Sequence, residues 1–180
     1  VNKDEPTLEI MKAYREHIVK MFRLFGFSEQ AARDRMERIL SLENRIAETS
    51  LSATELRDVE ANYNKMSIAD FRKTYPAFPL DGLMKAKGIN EKYYQHLVLG
   101  QPKFMAGLNA ILKDINVEDL RAKLEWDAIN EASDVLGDAV AAEAFDFGGR
   151  VMSGRQVDYP RWRKATSLVQ VILGEPLGKI

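Results

Sequence analysis

In "TLEIMKAYREHIVKMFRLFG", Leu8, Met11, Tyr14, Ile18, Met21, Phe22 and Phe25 recur every three or four positions, the spacing that lines up one side of an α-helix. A strand would scatter the same residues over both faces, because its side chains alternate. The stripe predicts a first helix, stopped by Gly26. Ser28 then stands as the N-cap of a second, with Glu29 in its first turn, and Ala32, Met36, Ile39, Leu40 and Ile46 carry the apolar stripe to about Ala47. Two long helices joined by "GFS" predict an antiparallel hairpin.

Helical spacing recurs downstream. Ser67 with Asp70 reads as a capping box opening a short helix, which the prolines of "TYPAFP" end. "YYQHLVLG" reads as a short extended segment near 95–99, and Pro102 starts a helix through Phe104, Leu108, Ile111, Leu112 and Ile115. Asn116 and Asp119 open the longest pattern, from Leu120 to Phe145, which predicts one very long helix of about thirty residues. Gly148 is expected to end it. Pro160 suits the first turn of a last helix whose buried face would carry Trp162, Ala165, Leu168, Val169 and Ile172. The fold class that follows is all-α, a multi-helix domain of about six to eight helices in one unit spanning 1–180.

Length and charge narrow the function. A compact chain of 180 residues buries roughly 70% of its unfolded surface, enough for one core. With 26 basic and 27 acidic residues and a net charge of -1, the overall field does not draw the chain to a phosphate backbone, so no nucleic-acid partner is expected. No apolar run is long enough to span a bilayer, and "VNKDEPTLE" has no apolar signal region, so no membrane contact is expected of this segment. The absence of cysteine removes disulfides and thiol nucleophiles. The start at Val1 and the stop at "EPLGKI", directly after a helical pattern, suggest a piece of something longer.

The residues offer little catalytic chemistry. His17 and His96 are the two histidines, and neither has a ligand partner at metal-binding spacing. "GGRVMSGRQ" imitates a phosphate loop but puts Arg155 and Gln156 where Lys and Ser or Thr are needed. Glu43 falls on the apolar stripe of the second helix, where a carboxylate needs a partner, with Arg57 or Arg161 as candidates. If a buried Glu43–Arg57 pair forms, losing Arg57 would cost about 3 kcal/mol or more. Tyr63, Trp126 and Trp162 are too scattered for a stacking groove and read as packing residues.

Taken in order, "LENRIAET" (42–49), "RD" (57–58), "YNKMS" (63–67), "LRAKLEW" (120–126) and "RWRKATSLV" (161–169) resemble the N-terminal helical region of the neprilysin-like zinc metalloendopeptidases. That family includes endothelin-converting enzyme and bacterial oligopeptidase O. The residues carrying the resemblance are Glu43, Arg57, Asp58, Tyr63, Asn64, Met66, Trp126, Arg161, Trp162 and Arg163. Many animal members have Cys just after Arg-Trp-Arg, where this chain has Ala165, so bacterial members are the better likeness.

The resemblance implies a non-catalytic cap that encloses the substrate chamber of a peptide-hydrolysing enzyme and limits it to short peptides. It implies no cofactor in this segment, zinc in a missing catalytic half, and that half and peptide substrates as partners. It also favours a periplasmic or cell-envelope parent. In this frame "RDVEANYNKMS" is expected to lock a helix corner, with Arg57 against Glu43 and with Tyr63 and Met66 in the core. A free-standing helical domain that binds a partner protein is the alternative, distinguished by whether a His-Glu-x-x-His coding sequence follows Ile180.

Overall fold

The computed structural model describes residues 4–178. Eight α-helices, a two-stranded sheet and short irregular turns are present among them. Contacts gather the chain into two compact units, one running to Glu37 and resuming at Ala122, the other comprising Arg38–Arg121.

In the first unit α1 (Glu5–Leu24) and the opening of α2 (Glu29–Thr49) form the hairpin. Asp4 caps α1 by accepting from the Thr7 amide at 3.0 Å, and Ser28 caps α2 by accepting from the Ala31 amide at 3.2 Å. Arg23 meets Glu29, Arg33 meets Glu16 and Arg15 meets Glu37. Rising numbers on one helix match falling numbers on the other, so the pair is antiparallel. The buried side chains are Ile18, Val19, Met21 and Phe22 of α1, with Ala32 and Met36 of α2. Arg35 closes this core by lying 4.1 Å from the Phe27 ring centroid while donating to Glu125 at 2.9 Å.

The expected very long helix is broken. It runs as α6 (Val117–Ala132) and then, after a turn, as α7 (Asp138–Ala144). Gly137 takes φ 128 at the break, a conformation that a side chain disfavours. Apolar spacing continues across the turn, which is why the pattern does not reveal it. Gly148 does not end α7 either. The chain widens into a π-helix over Phe145–Val151 and stops at Gly154, φ 66, whose amide donates to the Arg150 carbonyl at 3.1 Å. The last helix, α8 (Arg161–Leu177), follows Pro160 as expected.

The second unit is built around β1 (Asn64–Ser67) and β2 (His96–Leu99), which pair antiparallel from Asn64 opposite Leu99 to Ser67 opposite His96. β2 is the anticipated extended segment. β1 lies in a stretch read as a helix corner. Ser67 ends β1 and caps α3 (Ile68–Thr74), accepting from the Asp70 amide at 3.0 Å and donating its hydroxyl to Asp70 Oδ2 at 2.7 Å. α4 (Leu80–Ala86) and α5 (Pro102–Asp114) complete the unit. Ile68, Phe71, Tyr75, Leu80 and Leu99 form its core. Asn109 is buried in α5 and satisfied, its Oδ1 accepting from the Ala77 amide at 2.9 Å. Arg72 joins Asp81 and Glu91 across the surface at 2.6 and 2.8 Å.

Gly107 lets α5 approach the end of α2. A Cβ there would stand 2.2 Å from Thr49 Cγ2 and 2.5 Å from Thr49 Cβ. Alanine in place of helical glycine gains up to about 1 kcal/mol of propensity, whereas forcing the helices apart costs about 1–3 kcal/mol. The clash wins. Gly107→Ala should lower unfolding free energy by about 1–2 kcal/mol in denaturant titration, and in a Thr49→Gly background the same change should become neutral or stabilising.

Candidate functional site

α1 turns Tyr14 and His17, three residues apart, to the same side. Trp126 of α6 and Phe147 of the π-helix close over them. His17 is 3% exposed and Trp126 2%. The His17 ring stacks on Phe147 with centroids 4.8 Å apart and planes 13° apart, and it meets Trp126 edge to face at 5.5 Å. Trp126 Nε1–H donates to Tyr14 Oη at 3.1 Å, so the indole is paired. His17 Nδ1 lies 3.1 Å from Glu143 Oε1, and Lys20 Nζ reaches Glu143 Oε2 at 3.2 Å. Burial lowers the His17 pKa below its ordinary 6.5, against the opposing pull of Glu143. The ring is therefore neutral at pH 7 and donates from Nδ1.

This cluster stands at the edge of an open groove of about 2040 Å³ bounded by α1, α7, the π-helix, the 155–159 loop and α8. Its rim carries charges of both signs. Lys164 pairs with Asp158 and, at 3.0 Å, with Asp134, and these carboxylates raise its pKa despite partial burial. Arg155 and Arg163 lie over the Tyr159 ring at 4.8 and 4.2 Å.

Of the residues singled out from the sequence, Trp126, Arg161, Trp162 and Arg163 lie in the first unit, and Glu43, Arg57, Asp58, Tyr63, Asn64 and Met66 in the second. Trp126 is the buried pillar just described. Arg161 is exposed and reaches Asp138 at 3.5 Å, Arg163 covers Tyr159, and Trp162 is 69% exposed. The expected buried face of the last helix is thus exposed at Trp162, Leu168, Val169 and Ile172. In the second unit Glu43 is half-buried on α2 and Arg57 is exposed in a single 3₁₀ turn, with no ion pair joining the two among the described residues. The expected lock is made of hydrogen bonds instead. Asp58 Oδ1 accepts from the Ala61 amide at 3.0 Å, and Asn62 Nδ2 donates to the Glu55 carbonyl at 3.0 Å. Asn64 Nδ2 donates to the carbonyls of Ala61 and Leu99 at 2.8 and 3.1 Å, tying the loop to the sheet. Met66 packs on the core as expected, but Tyr63 is 64% exposed.

The His17 cluster itself was legible only in part: the histidine follows Tyr14 by three on an apolar stripe, but nothing local announces Phe147 or Glu143. These residues do not fit a zinc ion. His17 Nδ1 is occupied by Glu143, His96 is exposed on β2, and among the described residues no three His, Cys, Asp or Glu side chains stand together as a metal would require.

Two solution outcomes follow. A folded-state pKa depressed below 6.5 makes the unfolded chain bind the proton first, so stability is full above that pH and falls as pH drops through the folded value. Thermal melts should show a decline from pH 7 to 5 that His17→Gln flattens. Arg57→Leu, lacking a buried partner, should shift unfolding free energy by no more than about 0.5 kcal/mol in denaturant titration.

The profile of Peptidase family M13 matches residues 1–180. Endothelin-converting enzyme 1 of Bos taurus is 24% identical over 184 residues, covering 99% of this chain and 24% of that protein. Neprilysin-3 of Drosophila melanogaster is 23% identical over 188 residues, covering 99% and 24%. The inhibitor complex of Mycobacterium tuberculosis zinc metalloprotease ZMP1 superposes with TM-score 0.92 at 29% identity, over 98% of this chain and 27% of that one. Its open state gives 0.91 over 98% and 28%. The chain thus spans about a quarter of the length of these relatives. Matched from first residue to last, it belongs to Peptidase family M13, the neprilysin-like metalloproteases, and corresponds to the family's N-terminal region.

Proposed function

We propose that this chain is the helical cap of a zinc metalloendopeptidase, forming part of the wall around a chamber that admits short peptides and keeps folded proteins out. The bond-breaking chemistry belongs to the catalytic half of the same polypeptide, which is this segment's partner, and the zinc ion is held there. The observation that carries the reading is the end-to-end match to the family, combined with a TM-score of 0.92 to a zinc metalloprotease. The contribution of these residues is shape, with caps and a satisfied buried core holding the helices in place. The reading extends to a bacterial, cell-envelope parent. The likeness to the Mycobacterium tuberculosis enzyme, at 29% identity over 98% of this chain, supports that origin.

The whole protein is the material for the test. It should hydrolyse short unstructured peptides, lose that activity to a chelator, and leave folded proteins intact. Equal cleavage of folded and short substrates would overturn the size restriction. Absence of any hydrolysis would favour an interaction domain instead. His17→Gln and His96→Gln should retain the full zinc content by atomic absorption, since neither is a ligand. Loss of zinc from either variant places a ligand in this segment and refutes the division of labour.

A further inference from the structure

α8 is apolar on more than one side. Leu168 and Val171 line the groove, Ile172 follows Leu168 by four on the adjoining flank, and Val169 and Trp162 lie further round the helix. Val171 is 83% exposed and Ile172 65%. An apolar arc this wide is ordinarily covered, and 17 residues are close to the length at which a helix without tertiary support is marginal in water. Elsewhere exposed apolar residues stand singly or in adjacent pairs, such as Val59, Tyr93 and Val135 with Leu136. On α8 they are contiguous over Leu168, Val169, Val171, Ile172 and Leu173.

The groove beside it sets the size of what covers it. Small-molecule pockets enclose about 300–1,000 Å³, whereas this groove is open and extends over about 2040 Å³. It is scaled for polypeptide, and its mixed rim of Lys20, Arg23, Asp138 and Asp146 suits a segment that carries both signs of charge around an apolar stripe.

We propose that the stretch of the same polypeptide following residue 180 packs along both faces of α8 and fills the groove. About three quarters of each relative lies outside the matched region. The tether favours this occupant over a second copy, because a linked segment is present at an effective concentration in the millimolar range. The proposal rests on the cap reading and gives that cap its docking surface.

The test uses the intact protein, with any cysteine beyond this chain replaced by serine. Because residues 1–180 contain no cysteine, Val171→Cys and Ile172→Cys each introduce one reporter for thiol labelling, measured folded and in denaturant. The expected result is labelling at least tenfold slower in the folded protein at every protein concentration. Labelling within about twofold of the denatured rate overturns the proposal, and so does protection that appears only as concentration rises, which assigns the face to a second copy. Hydroxyl-radical footprinting of the unsubstituted protein repeats the test without a variant. Trp162 should be modified as slowly as buried Trp126, and faster modification in proportion to its exposure here overturns the proposal. Peptide hydrolysis measured on the same samples separates the two readings. Activity with α8 freely labelled sinks the docking surface alone, and protection without activity sinks the cap reading alone.

Discussion

The first unit depends on burying one face of α1 without leaving its polar groups unsatisfied. That face carries Ile18, Met21 and Phe22, which hydrophobic transfer alone would bury, and also Tyr14 and His17, which it would not. Trp126 and Phe147 exclude water from the imidazole, Glu143 accepts the hydrogen bond from its Nδ1–H, and Tyr14 accepts from the indole. Each group solves a problem another creates. Four elements, α1, α6, α7 and the π-helix, must therefore be in place together.

The π-helix is part of that solution. A segment that widens its turn shifts the side chains after it relative to an α-helical continuation, and over Phe145–Val151 this brings Phe147 flat onto His17 while Glu143, one turn earlier on α7, reaches Nδ1. Gly149 accommodates the Phe145 ring, which lies 2.2 Å from where a Cβ would be. In the stretch that imitates a phosphate loop, Gly149 is thus explained by packing and Gly154 by its positive φ.

What the sequence disclosed was mostly what local physics settles. The hairpin, the caps at Ser28 and Ser67, the helix starts at Pro102 and Pro160, and the extended 96–99 segment all follow from periodicity, hydrogen-bonding side chains or proline. What it concealed depends on distant residues. β1 exists because β2 is beside it, and Asn64–Ser67 alone reads as turn chemistry. Arg57 looked like a buried partner because Glu43 sits on an apolar stripe, but the loop around Arg57 satisfies itself through Asp58, Asn62 and Asn64 and leaves the guanidinium in solvent. Gly137 could have warned of the break in the long helix, yet a single glycine inside a strong period costs only about 1 kcal/mol and is often tolerated.

α8 is a different kind of mismatch. The periodic pattern predicts a buried face, whereas Trp162, Leu168, Val169 and Ile172 are exposed. A hydrophobic stripe reports where water is to be excluded in the finished protein, but says nothing of which residues exclude it. When the cover lies in the same stretch of chain, as it does for α1, pattern and exposure agree. Where they disagree over a run of neighbouring residues, the disagreement itself points to a missing surface. In a chain that spans about a quarter of its relatives, such a surface is more economically supplied by the rest of the polypeptide than by a separate molecule, since the linkage has already met most of the entropy of association.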